Sequence, residues 1–272
     1  MSVIFKKFSA RSARAVAASV IGAALLSACL GNSGTPQTSS AATKPLAAQT
    51  ASSEAFKDCR QFFAAGLPPA VAPQPKLRDL CFDAFAIMHN GNTRTPMFVA
   101  QRLNKNLVAD ADEKRTNKFY ADARLPRAER AELSDYKGSG YSRGHMAPAA
   151  DMPTAQAMAQ SFSLANMVPQ SVKQNGGPWA RIEKDPRRYA GRASGDVFII
   201  TGPVYEANPA TVGNNQVAVP RYLYKLVYDA NTNRAWAHWQ ANRDDERISQ
   251  PISYTELVQR TGIDFLPGVR PQ

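Results

Sequence analysis

The sequence predicts an α+β domain organised on a central, largely antiparallel sheet with flanking helices. Three observations carry that expectation. Strand-like stretches lie toward both ends of the folded part, the middle has helical periodicity, and clusters of turn-forming residues separate the strands at hairpin distances.

Taken in order, Leu80 to Leu107 alternates as an extended hairpin. Phe82, Phe85 and Ile87 precede a turn at Asn90-Gly91-Asn92, and Met97, Val99 and Leu103 follow it. The Asn-Gly pair is read as the source of the positive φ that a tight turn needs. Residues 104–137 are charged, broken by Pro126, and expected to wander over the surface. Thr154 to Met167 puts Ala155, Met158, Ala159, Phe162 and Leu164 or Ala165 on one side of a helix. Asn175-Gly176-Gly177-Pro178 reads as a turn opening a second helix, with Pro178 in the first turn where a missing N–H does no harm. Pro186 is expected to kink or restart that helix. Asp196 to Gly202 is a β-branched run suited to a buried strand, and Tyr222–Tyr228 pairs with Ala235–Gln240 through a turn at 229–233. With no internal repeat and no second boundary, residues 55–272 are expected to form a single domain.

Ahead of that domain, Lys6, Lys7, Arg11 and Arg14 precede an apolar, small-residue run from Ala15 to Ala28. The run is too short to span a bilayer comfortably and reads as a signal peptide over residues 1–28. Leu26-Ser27-Ala28-Cys29 resembles the lipobox of bacterial lipoproteins, whose cysteine is lipid-modified. The other reading is an ordinary signal peptide with a cysteine near its cleavage site. Either sends the protein out of the cytoplasm, and lipidation of Cys29 would tether it to a membrane by acyl chains. A periplasmic or cell-surface lipoprotein is expected, with Leu30 in place of an aspartate favouring the outer membrane. Residues 29–54, rich in Ser, Thr, Ala, Gln, Gly and Pro, read as a disordered tether. Cys59 and Cys81 remain as an even pair in an exported chain and are expected to form a disulfide that staples Phe56 to Leu80 onto the domain, two free buried thiols being the alternative.

The formal charge is +11, and removing Lys6, Lys7, Arg11 and Arg14 leaves 11 − 4 = +7. A basic exported domain fits a polyanionic partner such as nucleic acid or a phospholipid surface.

Of the three histidines, His89 sits beside a turn and His238 inside an aromatic strand, whereas His145 lies between Arg143-Gly144 and Met146. Imidazole, with an ordinary pKa of about 6.5, can take a proton from water near neutral pH. An adjacent guanidinium suits a phosphate, and a glycine allows close backbone approach. Asn175 and Glu183 are eight positions apart, about 80° from alignment on an ideal helix, so both can reach one site. Arg181, Lys184, Arg188 and Arg192 recur every three or four residues, a stripe that could follow a phosphate backbone or form a solvated face.

These motifs resemble the DNA/RNA non-specific endonuclease family, the ββα-metal nucleases. The family signature Asp-Arg-Gly-His appears as Ser142-Arg143-Gly144-His145, continuing through Pro148 and Asp151-Met152. Asn166-Met167-Val168-Pro169-Gln170, the 175–183 segment, Thr201-Gly202-Pro203, the 220–228 strand and Thr261-Gly262-Ile263-Asp264-Phe265 are similar as well. The resemblance implies a ββα-metal fold, with the metal site at a helix beside a loop carrying the catalytic His145. It implies His145 as general base, Asn175 as the one direct protein ligand of Mg2+ (Mn2+ as a substitute), and Glu183 ordering the metal's waters. It further implies Arg143 on the phosphate and Arg115 stabilising transition-state charge; Arg181, Lys184 and Arg188 are candidate substrate-binding residues from the spacing of the basic stripe, not from the resemblance. The implied activity is cleavage of DNA and RNA with 5′-phosphate products. Ser142 departs from the family aspartate, and altered metal dependence is expected from it. The rival readings are a non-catalytic nucleic-acid-binding lipoprotein that captures DNA, and a phosphodiesterase for small or lipid substrates.

Overall fold

The computed structural model describes residues 54–272; the signal-peptide, lipidation and nearly all of the tether expectations lie outside the described residues. The main sheet has seven strands, all paired antiparallel: β1 (Leu77–Cys81), β2 (Ala86–Asn90), β3 (Thr95–Leu103), β6 (Val197–Val204), β9 (Tyr222–Asp229), β10 (Arg234–Ala241) and β11 (Ile252–Ser253), in that spatial order. Two short two-stranded sheets accompany it, β4 (Tyr141–His145) with β5 (Met167–Ser171), and β7 (Thr211–Val212) with β8 (Val217–Ala218). The helices are α1 (Lys105–Ala109), α2 (Leu133–Tyr136), α3 (Ala155–Ser161), α4 (Val172–Gln174), α5 (Ala180–Ala190) and α6 (Tyr254–Thr261).

Both faces of the sheet are covered, which is why its strands read as nearly continuous apolar runs. Ile87, Val99 and Leu223 point to one side, where they meet Trp179, Ile182 and Phe162. Phe98, Ile200, Tyr224 and Leu226 point to the other, against Phe56, Phe63, Leu257 and Phe265. The Cys59–Cys81 disulfide, Cα atoms 5.7 Å apart, pins the segment carrying Phe62 and Phe63 to β1 as expected.

Several local expectations are corrected. The turn after β2 takes its positive φ from Arg94 (58°), not from the Asn-Gly pair. Gly91 is needed for a different reason, since a Cβ there would lie 2.8 Å from Glu129 Cβ. Residues 104–137 lack long elements, but they are anchored. Asp122, Leu125, Ala131, Asp135 and Tyr136 are buried, and Tyr120 forms a parallel bridge with Ser163. The helix expected from Thr154 to Met167 stops at Ser161; Ser163 then caps a 3-10 turn, Leu164–Asn166, that leads into β5. Helix formation around Asn175 begins three residues early, at Val172, where the Ser171 side chain accepts from the Gln174 N–H. Asn175–Trp179 is a π-helical turn within a helical run from α4 to α5. A wide π turn spares the Pro178 ring the clash that an α turn would impose. The restart expected at Pro186 is not found: α5 runs unbroken from Ala180 to Ala190, with Pro186 buried on the face it shares with Ile182 and Ala190.

Candidate active site

β4, β5 and the helical run from α4 through α5 form a ββα unit that positions the site. His145 is the last residue of β4, so the residue expected on a loop sits on a strand. Strand alternation puts Arg143 and His145 on one face and Ser142 and Gly144 on the other. Gly144 is required by contact: a Cβ would lie 1.8 Å from Gln170 Oε1 and 2.6 Å from Gln170 Cβ. Asn166 fixes the chain just past His145. Its Oδ1 accepts from the Ala147 N–H (2.9 Å), and its Nδ2 donates to the carbonyls of Ala147 and Ser161 (both 2.9 Å).

Arg115, Arg143, His145, Asn175 and Glu183 line one cavity of about 200 Å3, together with Pro148, Ala149 and Ala150. The π turn helps to bring Asn175 and Glu183 together. Eight residues of ideal α-helix leave them about 80° apart, and a wider turn advances less per residue and subtracts from that angle. Among the described residues no hydrogen bond or ion pair occupies the Asn175 amide or the Glu183 carboxylate, so both oxygen groups are available to the cavity. Arg181, Lys184 and Arg188 share the exposed side of α5 and do not line the cavity, while Arg192 lies past the helix end at Gly191. Ser142 does not line the cavity either.

His145 is 7% exposed and its Nε2 has no hydrogen-bond partner. Burial, with the Arg115 charge adding to it, draws its pKa down to about 3, which keeps the imidazole neutral. Burial pushes the Glu183 carboxyl up, Lys225 opposes that rise and Asp151 reinforces it.

Lys225, Asp151 and Arg187 were not anticipated. Lys225 is 1% exposed; its Nζ donates to Thr201 Oγ1 (2.7 Å) and to the Met146 carbonyl (3.3 Å), and lies 5.5 Å from the Trp179 ring centre. Asp151, also buried, accepts from Arg187 Nε at 2.6 Å. Two cations and two carboxylates, counting Glu183, are therefore balanced around the inner side of the site. The signal for Lys225 was present in Tyr222-Leu223-Tyr224-Lys225-Leu226-Val227-Tyr228, a lone charge in a strand with both faces covered.

The family model for DNA/RNA non-specific endonuclease matches residues 69–272. Mouse "Nuclease EXOG, mitochondrial" (Mus musculus) is 39% identical over 154 residues, covering 52% of this chain and 41% of the relative. "Nuclease C1" of Cunninghamella echinulata var. echinulata is 31% identical over 201 residues, covering 69% of this chain and 79% of the relative. The chain spans about half the length of the EXOG relatives it matches, from 41% to 58%. Among solved structures, a chain from the crystal structure of the EndoG/EndoGI complex superposes with a TM-score of 0.66 at 22% identity, covering 81% of this chain and 95% of that one. That likeness establishes the fold.

Proposed function

Because the chain belongs to the DNA/RNA non-specific endonuclease family, we propose that it is an exported, Mg2+-dependent endonuclease that hydrolyses phosphodiester bonds of DNA and RNA and leaves 5′-phosphates. The observation that carries this reading is convergence. Arg115, the β4 pair Arg143 and His145, and the Asn175–Glu183 pair on the helical run come from three separate stretches of chain and line one cavity.

The donor set fits magnesium. Asn175 and Glu183 offer hard oxygen atoms, and no group of three or more His, Cys, Asp or Glu that could hold an ion occurs among the described residues. An ion held directly by Asn175 would keep most of its waters, as Mg2+ prefers, with Glu183 hydrogen-bonding them; Mn2+ would substitute. When bound, the metal supplies Lewis-acid stabilisation of the charge that develops on phosphate and leaving oxygens. The rest falls to the chain itself. His145, neutral in its buried setting, accepts the proton of the attacking water at a ring nitrogen. Arg143 and Arg115 present N–H groups to the non-bridging oxygens and stabilise added charge in a partly water-excluded cavity. Recognition through phosphate and sugar leaves base sequence largely unread. The disulfide between Cys59 and Cys81 supports export to an oxidising compartment, and anchorage through an acylated Cys29 is part of this proposal.

Plasmid DNA and a structured RNA, incubated with Mg2+, with EDTA, and with His145→Ala, test the reading. Both substrates should be nicked by the wild type in Mg2+ alone, with 5′-phosphate ends. Cleavage undiminished in the alanine variant or in EDTA overturns it. Mass spectrometry of the mature amino terminus should find an acylated Cys29, and an unmodified terminus would remove the anchor from the proposal.

A further inference from the structure

Two phenylalanines behind the cavity hold three of its residues. The rings of Phe119 and Phe162 meet edge to face, centres 4.9 Å apart at 82°. Each also touches the imidazole of His145: Phe162 at 5.0 Å and 88°, Phe119 at 5.9 Å and 55°. The guanidinium carbon of Arg143 lies over the Phe119 ring at 4.1 Å, and that of Arg115 over the Phe162 ring at 5.0 Å. The order of contact is Arg143, Phe119, His145, Phe162, Arg115. The two rings arrive from different segments, locked together at the Tyr120–Ser163 bridge, where the Tyr120 N–H donates to the Phe162 carbonyl (3.2 Å) and the Leu164 N–H to the Tyr120 carbonyl (2.8 Å).

We propose that Phe119 and Phe162 are positioning residues for the reaction, orienting Arg143, Arg115 and His145 without neutralising or protonating any of them; this rests on the roles given to those three residues above. A guanidinium is usually held in place by a carboxylate, which takes up the N–H groups and the charge that a phosphate requires. A ring face attracts the cation through its quadrupole and accepts no in-plane hydrogen bond. Among the described residues Arg143 accordingly has no ion pair, and Arg115 donates only Nε, to Asn117 Oδ1 at 2.7 Å. The same logic applies to His145. An acidic orienting partner would raise its pKa, whereas two phenyl rings restrict its orientation without adding a charge.

The test compares Phe119→Leu and Phe162→Leu, which keep most of the volume and lose the ring, with Phe119→Tyr and Phe162→Tyr, which keep a ring face. Kinetics on a DNA duplex are measured at saturating Mg2+, well below each variant's thermal midpoint, together with inhibition by inorganic phosphate. The leucine variants should lose roughly 10- to 100-fold in kcat/KM, mainly in kcat, and bind phosphate more weakly. The tyrosine at position 119, where the side chain is only half-buried, should restore both quantities to within a few-fold. Leucine variants within twofold of the wild type, or tyrosine no better than leucine at position 119, overturn the proposal. His145→Ala is run alongside: a fully active alanine variant removes the underlying reading, whereas an inactive one beside unaffected leucine variants removes only the role of the rings.

Discussion

Substituting Gly144→Ala should destabilise the domain well beyond an ordinary glycine-to-alanine change. The added methyl would sit 1.8 Å from Gln170 Oε1, 2.6 Å from its Cβ and 2.8 Å from its Cδ. The far end of a flexible side chain could swing away, but Gln170 is fully buried and its Nε2 donates to Gln174 Oε1. Clearing the methyl means driving that amide off its partner in a closed space. Overpacking costs about 1–3 kcal/mol, and a buried amide left without a partner about 1–3 kcal/mol more. The sum, about 2–6 kcal/mol, corresponds in a domain of this size to a fall in Tm of roughly 5–20 °C. Differential scanning fluorimetry of the metal-free protein measures it. Gln170→Ala should be destabilising alone, yet the double variant should be more stable than the two single effects predict, because the obstacle is gone. A Gly144→Ala variant within about 1 °C of the wild type, or strict additivity in the double variant, would refute the reasoning, since on this scale even 1 kcal/mol exceeds that shift.

Further outcomes follow from the site and the staple. His145 has a folded-state pKa of about 3 against about 6.5 unfolded, so the unfolded chain gains a proton that the native state refuses as pH falls below about 6.5. The metal-free wild type should therefore lose stability relative to His145→Asn as pH drops from 7 toward 4, and a pH-independent difference between their denaturation midpoints would contradict the burial argument. Lys225→Met removes a buried cation beside Glu183 and Asp151 and should cost about 3–5 kcal/mol at pH 8 in chemical denaturation. Without Lys225 the Glu183 pKa rises further, so the charge part of that cost is present above the folded-state values and is lost as pH falls through the wild-type folded value of about 7; a constant cost argues that only packing was lost. Cys59→Ser opens a disulfide loop spanning 22 residues and should cost about 3 kcal/mol, read as a lower denaturation midpoint that the reduced wild type matches.

Much of the sheet was legible because strand chemistry is local. The β9–β10 hairpin shows as two aromatic and aliphatic runs, and the 229–233 turn between them contains two asparagines and an aspartate. The cavity residues were legible as a spaced set, but their geometry was not. Gly176-Gly177-Pro178 looks like a turn, and a helix passes through it because Ser171 caps upstream and Trp179 is fully buried downstream. Arg115 could be placed only loosely, since its position depends on a contact with Phe162, 47 positions away in the chain. Lys225 stands out as a lone charge in an apolar strand, but its partners do not: Thr201, Glu183 and the Met146–Asp151 segment lie far from it in the chain, and no short-range pattern joins them to it.

The π turn at Asn175–Trp179 carries one residue more than a regular helix needs, and this changes what a gap means when the helix is compared with others. Seven residues of plain α-helix advance about 700°, within about 20° of two full turns. A relative one residue shorter between its asparagine and glutamate could therefore present the same two oxygen groups from an unbroken α-helix. A relative two residues shorter could not. At this place in the chain, the loss of one residue leaves the two oxygen groups in phase, and a gap of that one residue against this chain is neutral to the site.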